Sequence, residues 1–174
     1  MTPPTLVETR PTAAAVPPSS PAASTRTRPM DDIDRRILAI LQDHARTPNA
    51  EIARRLDMAP SAILERIRKL EDNGVIEGYA ARLSPRALGY GVVAFVHVRA
   101  NGADSSRAFA EIPEVQEVHD VAGDDGLVLK VRAADAEALH ALLREKIARA
   151  QGVVETRTLY VLRSSKESHV LPIR

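Results

Sequence analysis

The sequence predicts an α+β protein in two parts, a winged helix-turn-helix domain followed by a ferredoxin-like βαββαβ sandwich. Three observations carry this expectation. Residues 31–71 place apolar side chains at helical spacing, broken twice by short polar connections. Residues 92–163 run strand, helix, strand, strand, helix, strand by their β-branched and helical patterns. Between the halves, Ser84-Pro85 and Gly89-Tyr90-Gly91 mark a boundary. The implied layout is a tail over 1–29, the helical domain over 30–82, a linker over 83–90 and a second domain over 91–174.

Composition narrows the chemistry. Of 174 residues, 44% are hydrophobic and only 3% aromatic, with no Trp, so both cores must be built from Leu, Ile, Val and Ala. The absence of Cys removes disulfides, thiolate catalysis and Cys-based zinc or iron–sulfur sites. No stretch approaches the roughly 18 apolar residues of a membrane span, and the N-terminus lacks a secretory apolar run. A cytoplasmic protein with no membrane partner is expected. Net charge is only +1, and residues 31–82 carry nine Lys and Arg against ten Asp and Glu. Nucleic-acid binding by this segment would therefore rest on locally clustered cations or on several copies acting together.

Residues 1–29 are rich in Pro, Thr, Ala and Ser, a composition that cannot offset the entropy of ordering, and are expected to be disordered. Met30, directly before the first periodic segment, is a candidate start of the natural chain. Ile33, Ile37, Ile40 and Leu41 form the inward stripe of a first helix, capped by Asp31 or Asp32 and ending near His44. Asn49 is expected to cap a second helix with Ile52, Ala53 and Leu56 inward. Asp57 then stands at a tight turn, where it tolerates left-handed backbone angles better than most residues. Pro60 suits the first turn of a third helix, whose inward stripe is Ile63, Ile67 and Leu70.

That third helix is the candidate reader of DNA. Ser61, Ala62, Leu64, Glu65, Arg68 and Lys69 remain on or near its exposed side. Those nearest its N-terminus would reach base edges, while Arg66, Arg68 and Lys69 suit phosphates, with Asn49 and Pro60 completing the set. Periodicity alone fits any small helical bundle with a charged outer face equally well. After Asn73-Gly74, the residues Val75, Ile76, Tyr79 and Ala81 suggest a short strand or hairpin acting as a wing.

In the second half, VVAFVHVR reads as a buried strand and Ala103 to Glu111 as a short helix around Phe109, ended by Pro113. VQEVHDVAG and LVLKVR follow as strands joined by a Gly123-Asp124-Asp125-Gly126 turn. Ala134 to Ala150 is the clearest helix here, closed by Gly152, and VVETRTLYVLR is the last strand. One sheet face is left without helices. Val93, Phe95 and Leu159 or Tyr160 make it apolar enough to expect a second copy against it. At one end, Asp124 and Asp125 could accept an ammonium group, while backbone amides at Gly123 and the Thr156 or Thr158 hydroxyls could hold a carboxylate. A solvated hairpin turn is the plain alternative, and His119 is a structural histidine or a further contact.

From Met30 to Arg163 the chain resembles the Lrp/AsnC group of feast/famine transcription regulators. The motifs ID-R-IL, LERIRKLE and GVI-GY carry the likeness in the first half, and the VAGDDG loop and VVETRTLYVL strand, at the positions of the family's effector segments, carry it in the second. The chain departs from the family pattern at Asp57, where Gly is frequent, at Ala59, where Ser is frequent, and in the loop. There the common Gly-Asp-x-Asp followed by an aromatic is replaced by Gly123, Asp124, Asp125, Gly126 and Leu127, so that the second carboxylate is displaced or lost.

The resemblance implies a sequence-specific regulator that binds double-stranded DNA through 30–82 and, through a RAM-type domain, dimerises, stacks dimers and takes an amino-acid effector. It implies no catalytic residue, no cofactor and no metal. Two alternatives remain. One is an enzyme on the same scaffold, as in siroheme decarboxylases, for which His119, Arg132 and Arg157 are the available groups. The other is an architectural DNA-binding protein that no ligand alters.

Overall fold

The computed structural model describes residues 30–101, 105–123 and 126–173, so the tail and the two aspartates Asp124 and Asp125 lie outside the described residues. The chain divides into two compact units, one ending at Gly78 and one spanning Tyr79–Leu171.

The first unit holds α1 (Asp32–Asp43), α2 (Asn49–Leu56) and α3 (Pro60–Asp72). Asp31 caps α1 by accepting from the Asp34 N–H at 2.8 Å, and the Asp34 carboxylate accepts in turn from the Asp31 N–H. The reciprocal cap satisfies two backbone donors that the helix itself cannot. Ile37, Ile52, Ala53, Ile63, Ile67 and Leu70 form the buried core, the stripes that the helical spacing requires.

Two expectations change in this unit. Asn49 is not the cap of α2: Pro48 occupies that position in an extended conformation, its carbonyl accepting from the Glu51 and Ile52 N–H groups, and Asn49 is already inside the helix. Proline's fixed φ makes the entry one residue earlier, so no side chain caps α2. No strand or hairpin forms over 75–83. Val75 and Ile76 are spent against the helical core, and Tyr79 is exposed.

The second unit runs β1 (Val92–Ala100), α4 (Ser105–Ala110), β2 (Val115–Asp120), β3 (Leu127–Ala133), α5 (Ala136–Ala141) and β4 (Val153–Tyr160). The sheet order is β2-β3-β1-β4 with every pairing antiparallel, the ferredoxin-like arrangement. Asp135 caps α5 by accepting from the Ala138 N–H, so the helix starts after Ala134. It continues as a π-helical stretch, Leu142–Ile147. The wider turn brings Leu142 and Ile147, five residues apart, to the same core, whereas an α-helix would set them on different faces.

Strand alternation sorts the sheet into two faces. Ala94, Val96, Val98, Leu127, Leu129 and Val131 pack against Phe109, Leu139, Leu142 and Ile147 beneath the helices. The opposite face carries Val93, Phe95, His97 and Arg99 of β1, aligned with Arg132, Lys130 and Val128 of β3 and with Leu159 and Arg157 of β4. Phe95 and Leu159 pair in register there and both are exposed. Tyr160 pairs with Ala94 and lies on the other side, so Leu159 is the member of that pair on the helix-free face.

The C-terminal segment crosses part of this face. Glu167 accepts from Lys130 Nζ at 2.6 Å and from the Arg132 guanidinium at 2.9 Å, while Lys130 also donates to Glu117 and Arg132 to Gln116. The Lys130 hydrogen bond, opposed by partial burial and aided by Arg132, holds the Glu167 carboxyl below the ordinary carboxylate range. A depressed native carboxylate stabilises fully above its unfolded pKa and loses that contribution as pH falls through the lower native value. Docking of residues around Glu167 is therefore expected to be unchanged above about pH 5 and to weaken progressively below about pH 4. Hydrogen exchange of the 165–169 amides against pH checks this.

Candidate nucleic-acid interface

The turn between α2 and α3 is set by Asp57, whose φ of 54° and ψ of 52° are left-handed. Its N–H and that of Met58 both turn back to the Ala53 carbonyl, ending α2. Gly would adopt this conformation at lower cost, by about 1 kcal/mol. Pro60 then starts α3 after Ala59, which makes no side-chain cap bond. The first turn of α3 holds no acid, so its positive end is left uncompensated by side chains, which suits an approaching phosphate.

Ser61, Leu64, Glu65, Arg68 and Lys69 are exposed on α3, as is Pro60, while Ala62 is half-buried. Arg68 and Glu65 approach only to 3.5 Å with both side chains well exposed, a contact that a phosphate could displace at little cost. Arg66 is different. Its Nη1 donates to Asp31 Oδ2 and Asp34 Oδ1, each at 2.7 Å, and only 28% of its side chain is exposed. The hydrogen bonds to Asp31 and Asp34 hold Arg66 more firmly protonated, against its partial burial. Its guanidinium is committed within the unit, which removes Arg66 from the residues turned outward for phosphates. Asn49 is half-buried at the start of α2.

Sequence reasoning passed over Arg54 and Arg55 at the end of α2. Both are exposed and both donate to Glu51, at 2.7 and 2.8 Å. The Arg54 and Arg55 hydrogen bonds pull the Glu51 carboxyl down to about 2. The two cations directly before the turn were a readable signal, since the helix preceding a reader crosses the backbone.

In the second unit, the β2–β3 connection closes through Val121 N–H donating to the Gly126 carbonyl at 2.9 Å, and Gly123 has a φ of 139°. Thr156 aligns with Val98, which aligns with Leu127, so Thr156 stands level with the loop two strand spacings away, about 10 Å. Thr158 is two pairs further along, at Val96, on the same face. One copy of the chain thus sets Gly123 and the two threonines at the same end of the sheet without gathering them into a single pocket. Both threonines point to the helix side of edge strand β4.

The groups suited to an enzyme do not converge. His119 and Arg157 lie in one row across the sheet at its two opposite edges, three strand spacings or about 14 Å apart, and Arg132 is at the far end of β3. His119 pairs with Glu117, Arg132 with Gln116 and Glu167, and Arg157 with His97. Among the described residues no cluster of His, Asp or Glu could hold a metal ion. Nor is any described helix long and apolar enough to cross a membrane.

Residues 30–77 match the model of a winged helix-turn-helix DNA-binding domain, and residues 93–171 match the Lrp/AsnC ligand binding domain. The chain is 39% identical over 149 residues to the HTH-type transcriptional regulator FL11 of Pyrococcus horikoshii, covering 84% of this chain and 98% of that protein. It is also 39% identical over 151 residues to the leucine-responsive regulatory protein of Escherichia coli, covering 83% and 92%. A crystal structure of a Neisseria meningitidis transcriptional regulator in complex with L-Met superposes with a TM-score of 0.76 at 30% identity, covering 82% of this chain and 96% of that one.

Proposed function

Because the chain belongs to the Lrp/AsnC family of DNA-binding transcriptional regulators, we propose that α3 is its reader and that assembly of several copies supplies most of its affinity. The observation that carries this is the exposed outer face of α3, presented by a left-handed turn at Asp57. Pro60, Ser61, Leu64 and Glu65 face base edges, and Arg68 and Lys69 contact phosphates. A unit with no net excess of cations cannot bind strongly alone; two readers joined through the helix-free sheet face raise the effective concentration of the second contact.

An amino acid is the proposed effector, held near the 121–126 connection and completed by a second copy, since one copy leaves Gly123 and Thr156 too far apart to share a ligand. The regulator solved with L-Met supports this ligand class. The protein acts in the cytoplasm and has no enzymatic role. Footprinting on DNA next to its own gene with a panel of amino acids is the test. Protection that one amino acid shifts is expected; protection that none alters favours an architectural protein, and no protection removes the DNA-binding assignment. Arg68→Ala is expected to weaken binding about equally across sequences and to lower the slope of log affinity against log salt by about 0.9 per reader. An unchanged slope in a salt titration would take Arg68 out of the phosphate-contacting set.

A further inference from the structure

Arg66 is a cation of α3 whose guanidinium is held by carboxylates at the head of α1. Its exposure is less than half that of Arg68, and a single nitrogen reaches two carboxylates at equal distance. Those carboxylates, Asp31 and Asp34, are the same two that make the reciprocal cap of α1. One guanidinium therefore ties the second turn of α3 to the first turn of α1.

We propose that Arg66 is a positioning residue that fixes the rotation of α3 about its own axis, and so decides sequence discrimination without touching DNA. Ile63, Ile67 and Leu70 hold α3 against the core, but apolar contact is non-directional and constrains rotation weakly. On this flank the apolar packing is also incomplete: a cleft of about 280 Å³ runs beside Arg66, lined by Met30, Ala62, Glu65, Lys69 and Asn73 among others. The directional restraint there is the charge-assisted pair of hydrogen bonds. A helix with its side chains is about 10–12 Å across, so a rotation of about 10° moves an outer atom by about 1 Å. That displacement takes a base-edge hydrogen bond out of its working range while leaving long-range attraction to phosphates almost unchanged.

The proposal rests on α3 being the reader, and its test separates the two. Full-length wild-type protein is titrated with a selected duplex and with a scrambled one across a salt series, then compared with Arg66→Gln and Arg66→Lys. Arg66→Gln is expected to lower the ratio of specific to non-specific affinity at least about tenfold, with non-specific affinity and its salt slope as in wild type. Arg66→Lys, whose ammonium can sit between both carboxylates, should restore most of that ratio. A slope reduced by about 0.9 in Arg66→Gln would make Arg66 a phosphate contact and overturn the proposal, as would an unchanged ratio. If Arg66→Gln does not fold, Asp34→Asn is read in the same way, with about a threefold loss of discrimination expected and none overturning it. Wild-type protein that selects no duplex removes the DNA-binding assignment itself, before any variant is made.

Discussion

Phe95→Glu is expected to leave the second unit folded, to yield monomers, and to lower affinity for a two-site duplex by at least about 100-fold. Phe95 is exposed at the middle of the helix-free sheet face, in register with Leu159, and contributes nothing to the core beneath the helices. A two-fold interface brings the same patch of both copies together, so the new carboxylates enter an apolar contact in pairs and pay desolvation twice. Separating the readers forfeits the avidity term, which spans about 10²–10⁴ for linked sites. Light scattering with size exclusion gives the assembly state and fluorescence anisotropy the affinity. Monomers that bind as tightly as wild type would place the whole affinity in one helical unit.

Gly152→Ala is expected to destabilise the second unit by about 3 kcal/mol. Gly152 has a φ of 83°, where an L side chain is strained, and an added Cβ would stand 2.4 Å from the Asn101 carbonyl oxygen. The neighbour cannot simply move, because the Asn101 N–H donates to the Gly152 carbonyl at 2.8 Å where the chain enters β4. Left-handed strain of about 1–2 kcal/mol and a backbone clash add in the same direction. For a unit of this size the loss corresponds to a fall in Tm of roughly 12–24 °C, read by calorimetry. A loss below about 1 kcal/mol would mean that the 150–153 turn relaxes freely.

The elements were legible because local signals agreed with one another. Capping at Asp31, the left-handed Asp57, Pro60 at the head of α3 and the alternating strands each follow from a few adjacent residues. What escaped was decided by contacts distant in sequence. Val75 and Ile76 have the composition of a strand, but the helical core claims them. Ile63, Arg66, Ile67 and Leu70 make an i, i+3, i+4, i+7 stripe, so the inward turn of Arg66 was readable in principle; its partners across 32 and 35 residues were not. Likewise Lys130 carries the face parity of Arg132 and Val128, yet nothing local announces that Glu167 returns to meet it. The proposed effector set was the least legible, because Thr156 and Gly123 stand at one end of the sheet about two strand spacings apart, and what would join them is a second copy.

Selection of full-length protein against random-sequence duplexes, followed by sequencing of the bound pool, tests most directly that several weak readers act together. Two α3 helices on one assembly demand paired half-sites whose centres are separated by one helical turn of 10–10.5 base pairs or a multiple of it. Enrichment of such repeats, lost from the pool selected by Phe95→Glu, is the expected result. Enrichment of a single unrepeated site, equally strong for wild type and Phe95→Glu, would contradict it.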